Sequence, residues 1–168
     1  MLLKKAVSTL LLGALCASLT AQADVKIGVI TSSTGPIALV GIPQKNSIAL
    51  MPSEAGGEAI RYVALDDGSD PTATVKAFKK LLDEEKVDAI IGPSGSPHAM
   101  GVIQFAAESG TPLLAPVGTA AVVLPMNEQK KWVFKTTQND ELIAEALTEH
   151  MVKLSLIHIS EPTRLRRI

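Results

Sequence analysis

Cysteine is nearly absent from this chain: Cys16 is the only one, and it lies in an N-terminal stretch that reads as cleavable. A mature chain without cysteine has no disulfide, so its stability must come from a packed core. Aromatic residues are equally scarce, at 3% of the 168 positions, which points to a core of Ala, Val, Ile and Leu. A basic excess is lacking too. The whole chain has 16 Lys and Arg against 17 Asp and Glu, and residues 24–153 alone hold 11 against 16, a net charge of −5. With no basic stripe, nucleic acid is not an expected partner. The apolar run from Ala6 to Thr20 falls short of the ~20 residues that a membrane-spanning helix needs.

That run instead has the layout of a secretory signal. Lys4 and Lys5 precede it, and Ala21-Gln22-Ala23 follows as a small-x-small cleavage site. Residues 1–23 are therefore expected to be a signal peptide cleaved after Ala23, with the mature chain starting at Asp24 in the periplasm. Lipid attachment at Cys16 is a weaker reading, because Leu15 before it is not small. At the other end, LSLIHISEPTR, Leu154 to Arg164, resembles the translation of a transposase sequencing adapter. The alternative for LSLIHI is a half-buried strand, since its apolar and polar residues alternate. Residues 154–168 are expected to be a non-native tail, and the natural chain to continue past Lys153. The mature stretch of about 145 residues fits one domain or one lobe of a larger protein.

Between these ends, short apolar runs alternate with amphipathic segments. VKIGVI (25–30), AIRYVAL (59–65), VDAIIG (87–92), TPLLAPV (111–117) and WVFKT (132–136) read as strands. Several are apolar at consecutive positions, as parallel strands covered on both faces are. Helices are expected at Gln44 to Met51, Thr72 to Glu85, Pro97 to Ser109 and Asn139 to Val152. In the second, Asp70 before Pro71 supplies a cap and a first-turn residue, and Val75, Phe78, Leu81 and Leu82 recur at helical spacing. Lys76, Lys79, Lys80 and Asp83 then fall on a solvated face. Pro52 to Glu58 reads as a Gly-containing turn. The alternation predicts an α/β fold, an open doubly wound parallel sheet with helices on both faces.

Such sheets bind ligands beyond the carboxyl ends of their strands, so the candidates are TSSTGPIALVG (31–41), GPSGSPHAM (92–100) and VGTAAV (117–122). Ser96 stands directly before Pro97 and a helix. Its hydroxyl, with the free amides of the first turn, either caps that helix or holds a carboxylate. The carbonyl of Val117 and the hydroxyl of Thr119 can accept protons from an ammonium group, and Gly118 between them permits close approach. Such a turn also serves purely structural ends. GPSGS resembles a nucleophile elbow and raises the alternative of an exported α/β hydrolase with Ser94 as nucleophile. The elbow needs Gly on both sides of the Ser, and Ser96 occupies the second of those positions. His98 is expected on the surface or in a loop, His150 on a helix surface and Trp132 in strand packing. Asp66 and Asp67 are adjacent on a strand and cannot both face one metal or phosphoryl site, so their expected work is to satisfy turn and helix-start amides. No catalytic residue, metal or cofactor is expected.

In order, VKIGVITSSTGPIALVG, LDDGSDP, VDAIIGPSGS, TPLLAPVGTAA and WVFKTTQND resemble the periplasmic leucine/isoleucine/valine-type substrate-binding proteins of ABC importers, over residues 25–153. The resemblance implies two α/β lobes, joined by three crossovers, that close around a small ligand. Residues 24–137 would be the first lobe, with the first crossover near Thr136-Thr137, and residues 138–153 the start of the second. The implied role is not enzymatic: it is capture of branched-chain or related amino acids, aromatic acids or amides for a membrane permease, by a protein monomeric at full length. In this family a Ser after the third strand and a carbonyl and a Thr after the fourth hold the ligand's carboxylate and ammonium. Those positions match Ser96, Val117 and Thr119, with Gly118 between the last two. The first loop often carries an aromatic that packs on the ligand, and Val40 stands at that place. Region 42–58 is shorter than in the family and keeps only Gly56-Gly57 of an Asn-x-x-Gly-Gly pattern. A ligand-sensing domain of a membrane receptor shares this fold and is a further alternative.

Overall fold

Each of the five apolar runs forms a strand, and the spacing between them is set by the helices that cross over the sheet. The computed structural model describes residues 24–154, so the expected signal peptide and the tail beyond Leu154 lie outside the described residues. The strands are β1 (Val25–Thr31), β2 (Glu54–Ala55), β3 (Glu58–Asp66), β4 (Ala89–Ile91), β5 (Leu113–Ala115) and β6 (Val133–Lys135). The helices are α1 (Ala38–Ser47), α2 (Pro71–Asp83), α3 (Ser96–Met100), α4 (Ile103–Ser109) and α5 (Asp140–Lys153), with short 3-10 turns at Ile48–Leu50 and Ala120–Val122. The strand order is β2-β3-β1-β4-β5-β6, and every pair is parallel except β2 with β3.

From β1 the chain moves to one side to reach β3, then crosses back to β4 on the other side. Right-handed crossovers of opposite direction put their helices on opposite faces, which places α1 on one face of the sheet and α2, α3 and α4 on the other. The second face holds the core. Ile30, Ile90, Leu113, Ala115 and Val133 point into it and meet Phe78 and Leu81 of α2, Ala99 of α3, and Ile103 and Ala106 of α4. Phe78 and Leu81 are fully buried, and each such burial contributes about 2 kcal/mol.

Helix α2 follows its sequence signals closely. Asp70 caps it by accepting the Thr72 amide at 2.9 Å, Pro71 opens it, and Thr74, Phe78 and Leu81 form its buried face. Three other elements differ from expectation. Helix α1 begins at Ala38 and runs through Pro43, with the Ser47 hydroxyl donating to the Pro43 carbonyl at 2.9 Å. Proline was expected to precede the helix, yet its lost amide costs one bond in an exposed stretch, and Val40 consequently stands on a helix and not in a loop. The helix expected from Pro97 to Ser109 is broken into α3 and α4 around Gly101, a weak helix former in the middle of the run, where Val102 turns fully into the core. The turn expected at Pro52 to Glu58 is a small hairpin, in which β2 adds an antiparallel edge to β3 and Ile60 donates to Ser53 at 2.8 Å.

Helix α5 departs from the rest. It leaves Leu142, Ile143 and Leu147 at 59%, 47% and 57% exposure, and none of its residues is buried.

Candidate functional site

The carboxyl ends of β1, β4 and β5 lie side by side, and the sheet order reverses at β1, so the loops after these strands open one crevice. The first two loops touch. Gly92 takes a φ of +110°, and a Cβ there would press on the Ile30 carbonyl, so only glycine lets the chain leave β4 this close to β1. Next in line, Ser94 is 8% exposed: its hydroxyl oxygen accepts the Ser32 amide at 3.0 Å and its proton goes to Oε1 of Gln44 at 2.5 Å. One buried hydroxyl thus ties the β1 loop, the β4 loop and α1 together. Below them, Val29, Ile91, Gln44, Met51 and Pro116 line a largely apolar cleft of 170 Å³.

Among the described residues Ser94 makes no hydrogen bond to a base. Its hydrogen bonds run to an amide and a carboxamide, an arrangement that holds a loop and does not activate a nucleophile. His98 also departs from expectation: it is 6% exposed within α3, its ring set against Gly95. Neither ring nitrogen has a hydrogen-bond partner among the described residues. The turn of α3 that buries Ala99 carries His98 inward with it, which sequence spacing on so short a helix did not reveal.

Ser96 is the first residue of α3, and Gly95 occupies the cap position in extended geometry. The serine does not cap its helix, because a residue already in the first turn cannot reach back over its own free amides. It is half-buried, and its hydroxyl makes no hydrogen bond with any described residue. In the next loop Val117 is buried, and its carbonyl accepts the Thr137 hydroxyl at 2.7 Å. The Gly118 carbonyl accepts the Asp140 amide at 3.1 Å. Thr119 accepts the Ala121 amide at 3.2 Å and so caps the 3-10 turn that follows it. Val40, on α1, is 50% exposed.

The rim beside β3 is held by carboxylates, as the sequence suggested. Oδ1 of Asp66 accepts the amides of Ser33 at 2.9 Å, Thr34 at 3.3 Å and Gly68 at 3.0 Å. Burial works to raise its pKa, but the hydrogen bonds from Gly68, Thr34 and Ser33 together outweigh it and hold the carboxyl below its ordinary 3.8. Asp67 is buried and accepts the Ser69 amide at 3.0 Å and the Thr74 hydroxyl at 2.8 Å. Among the described residues no group of three or more His, Cys, Asp or Glu side chains is placed to hold a metal.

A crevice of loops on a doubly wound sheet, with polar groups on two loops, suits ligand capture. The family model for periplasmic binding proteins matches residues 24–156. The chain belongs to the periplasmic binding protein family. It is 29% identical over 155 residues to the Leu/Ile/Val-binding protein BraC3 of Rhizobium johnstonii, covering 89% of this chain and 41% of that one. An extracellular ligand-binding receptor from Rhodopseudomonas palustris HaA2 superposes with a TM-score of 0.76 at 46% identity, over 80% of this chain and 37% of that one. The leucine-binding protein LivK of Thermotoga maritima MSB8 superposes at 0.70 with 28% identity, over 77% and 37%. The chain thus spans about two fifths of the length of these relatives. Their names describe Leu/Ile/Val-binding, ligand-binding and leucine-binding proteins.

Sequence reasoning reached Ser96, Val117 and Thr119 but missed three partners: Gln44 behind Ser94, Thr137 behind Val117, and Asp140 against Gly118. The only local signal for the last two was TTQND after β6, where Thr and Asp flank the start of a helix.

Proposed function

We propose that this chain is the first lobe of the extracytoplasmic solute-binding component of an ABC importer, and that it captures branched-chain or related amino acids. In this reading residues 1–23 direct export to the periplasm and 24–137 form the lobe. Residues 138–153 open a second lobe, and 154–168 are foreign to the natural protein. The ligand lies in the crevice, its carboxylate on the Ser96 hydroxyl and its ammonium on the Val117 carbonyl and the Thr119 hydroxyl. Val40 lies toward its side chain, and closure of the second lobe completes the enclosure before delivery to a membrane permease.

The observation that supports this reading best is the state of Ser96. It is half-buried in the segment that follows β4, and its hydroxyl is engaged by no described residue. The names of the relatives, leucine-binding and Leu/Ile/Val-binding, point to the same ligand class. The α5 stripe of Leu142, Ile143 and Leu147 is what a helix that packs into a second lobe would present.

Titration calorimetry of the full-length mature protein with leucine, isoleucine, valine and benzoate tests the proposal. Micromolar or tighter binding of an aliphatic amino acid is expected. Ser96→Ala is expected to weaken it about tenfold to a hundredfold, the cost of a hydrogen bond to a charged group, with no loss of melting temperature. Binding of benzoate but of no amino acid would overturn the ligand class.

A further inference from the structure

His98 is buried without a polar partner. Its side chain is 6% exposed, and neither Nδ1 nor Nε2 makes a hydrogen bond with any described residue. The ring packs on backbone: a Cβ added at Gly95 would overlap Nδ1 of His98, so glycine at 95 is what admits the imidazole. Helix α3 has little else to hold it. It is five residues long, and His98 and Ala99 are its only buried residues, of which His98 is much the larger. Ser96 stands two residues before His98 on the same short helix, so the seat of the ring fixes the place of the Ser96 hydroxyl.

A neutral imidazole fits this seat and an imidazolium does not. The charged ring donates from both nitrogens, and when buried it needs acceptors or a counter-charge. No described element packed on α3 turns a charged group toward it. Helix α2 has Thr74, Phe78 and Leu81 on its buried face, while its Lys76, Lys79, Lys80 and Asp83 are exposed. The 3-10 turn Ala120–Val122 and the β1 loop, residues 32–37, contain no titratable side chain. Glu108, the one charged residue of α4, is exposed and accepts from Gln104. Asp67, buried just after β3, is committed to the Ser69 amide and the Thr74 hydroxyl.

We propose that His98 is an acid-sensitive latch on the crevice: when its ring takes a second proton it leaves its seat, α3 shifts with it, and Ser96 is drawn off the ligand's carboxylate. Histidine is the side chain that ordinarily changes charge between about pH 5 and 8, so the latch works in mild acid. The part given to Ser96 rests on the amino-acid reading above; the burial of His98 does not. His98 is a positioning residue that acts through Ser96. A protein built this way holds its ligand near neutral pH and releases it in acid.

The test titrates the full-length mature protein with leucine by calorimetry at about pH 7.5 and about pH 5.5, a range in which leucine stays zwitterionic. The melting temperature without ligand is read at the same two values. In wild type the affinity is expected to fall about tenfold in acid, the effect of one linked proton over one pH unit, and the melting temperature to fall with it. His98→Leu removes the titration and loses no hydrogen bond, because the ring makes none with the described residues. It is expected to bind leucine within about threefold of wild type near neutral pH, and to lose less than about twofold in acid. Should His98→Leu not fold, His98→Gln is uncharged at both values and reads the same ratio. A wild-type affinity that is unchanged in acid overturns the latch, as does an equal acid loss in wild type and variant. Wild-type protein that binds no leucine overturns the amino-acid reading and the part given to Ser96. The melting temperatures then decide the burial argument by themselves: an acid shift larger in wild type than in the variant upholds it, and equal shifts overturn it.

Discussion

The hydroxyl of Thr137 donates to the carbonyl of Val117 at 2.7 Å, joining the segment that leaves β6 to the loop that follows β5. With the Asp140 amide on Gly118, it makes a two-point seam between a strand-end loop of the crevice and the start of α5. A carbonyl oxygen has two lone pairs, so Val117 can keep Thr137 and still accept a ligand's proton. The orientation of that carbonyl is nevertheless set by a residue 20 positions away.

Thr137→Val removes the donor while keeping the shape of the side chain. Stability is expected to fall by about 1 kcal/mol in urea denaturation, and Thr137→Ser is expected to recover most of it. Loss in Thr137→Ser with none in Thr137→Val would show that packing of the methyl group, and not the seam, is what matters.

Ser94→Ala takes an acceptor from the buried Ser32 amide and a donor from Gln44 in one step. The expected cost is about 1–3 kcal/mol, read from the denaturation midpoint, because a buried amide is left without a partner. Ester turnover is expected in neither protein. Turnover in the wild type that vanishes in a stable Ser94→Ala variant would revive the hydrolase alternative.

Gly92→Ala meets two penalties, a φ of +110° and contact with the Ile30 carbonyl. A loss of about 2 kcal/mol or more is expected. Gly57→Ala is the control: φ is +86°, but nothing lies within 4 Å of the added carbon, so a clearly smaller fall in melting temperature is expected. Equal losses would mean that the approach of the β4 loop to β1 is not tight.

Asp66 makes the rim sensitive to acid. Its folded-state pKa lies below the ordinary 3.8, so the stability it contributes is fully present above that value and is lost as the pH falls through the lower, folded-state value. Wild-type protein is therefore expected to lose stability below about pH 3.8 more steeply than Asp66→Asn, whose amide oxygen accepts without titrating. Parallel acid-unfolding curves for the two proteins would remove Asp66 from the account.

Local signals were readable where one short segment satisfied its own needs. Asp70-Pro71 started α2 as expected, the strands fell on the apolar runs, and Asp66 and Asp67 took the turn amides of Gly68 and Ser69 that the sequence LDDGSDP suggests. Signals misled where a neighbour supplied what the segment lacked. The Pro43 gap in α1 sits on an exposed turn and costs little, so the helix passes through it. Val102 is fully buried where the expected long helix breaks, and His98 is carried under the surface by a helix of five residues.

The sequence by itself determined the class of fold, because apolar runs of strand length alternating with amphipathic segments have few other ways to bury their side chains. It also determined which loops would line a crevice, since in a parallel sheet every strand's carboxyl end faces the same edge. Only the tertiary structure decided what each polar group in those loops is free to do. Ser94 is consumed by Ser32 and Gln44 while Ser96, two residues on, is left open; Thr137 and Asp140 reach Val117 and Gly118 from beyond β6. Hydrogen bonds are settled by distance and direction in space, and partners separated by 20 to 62 positions leave no periodic trace in the chain.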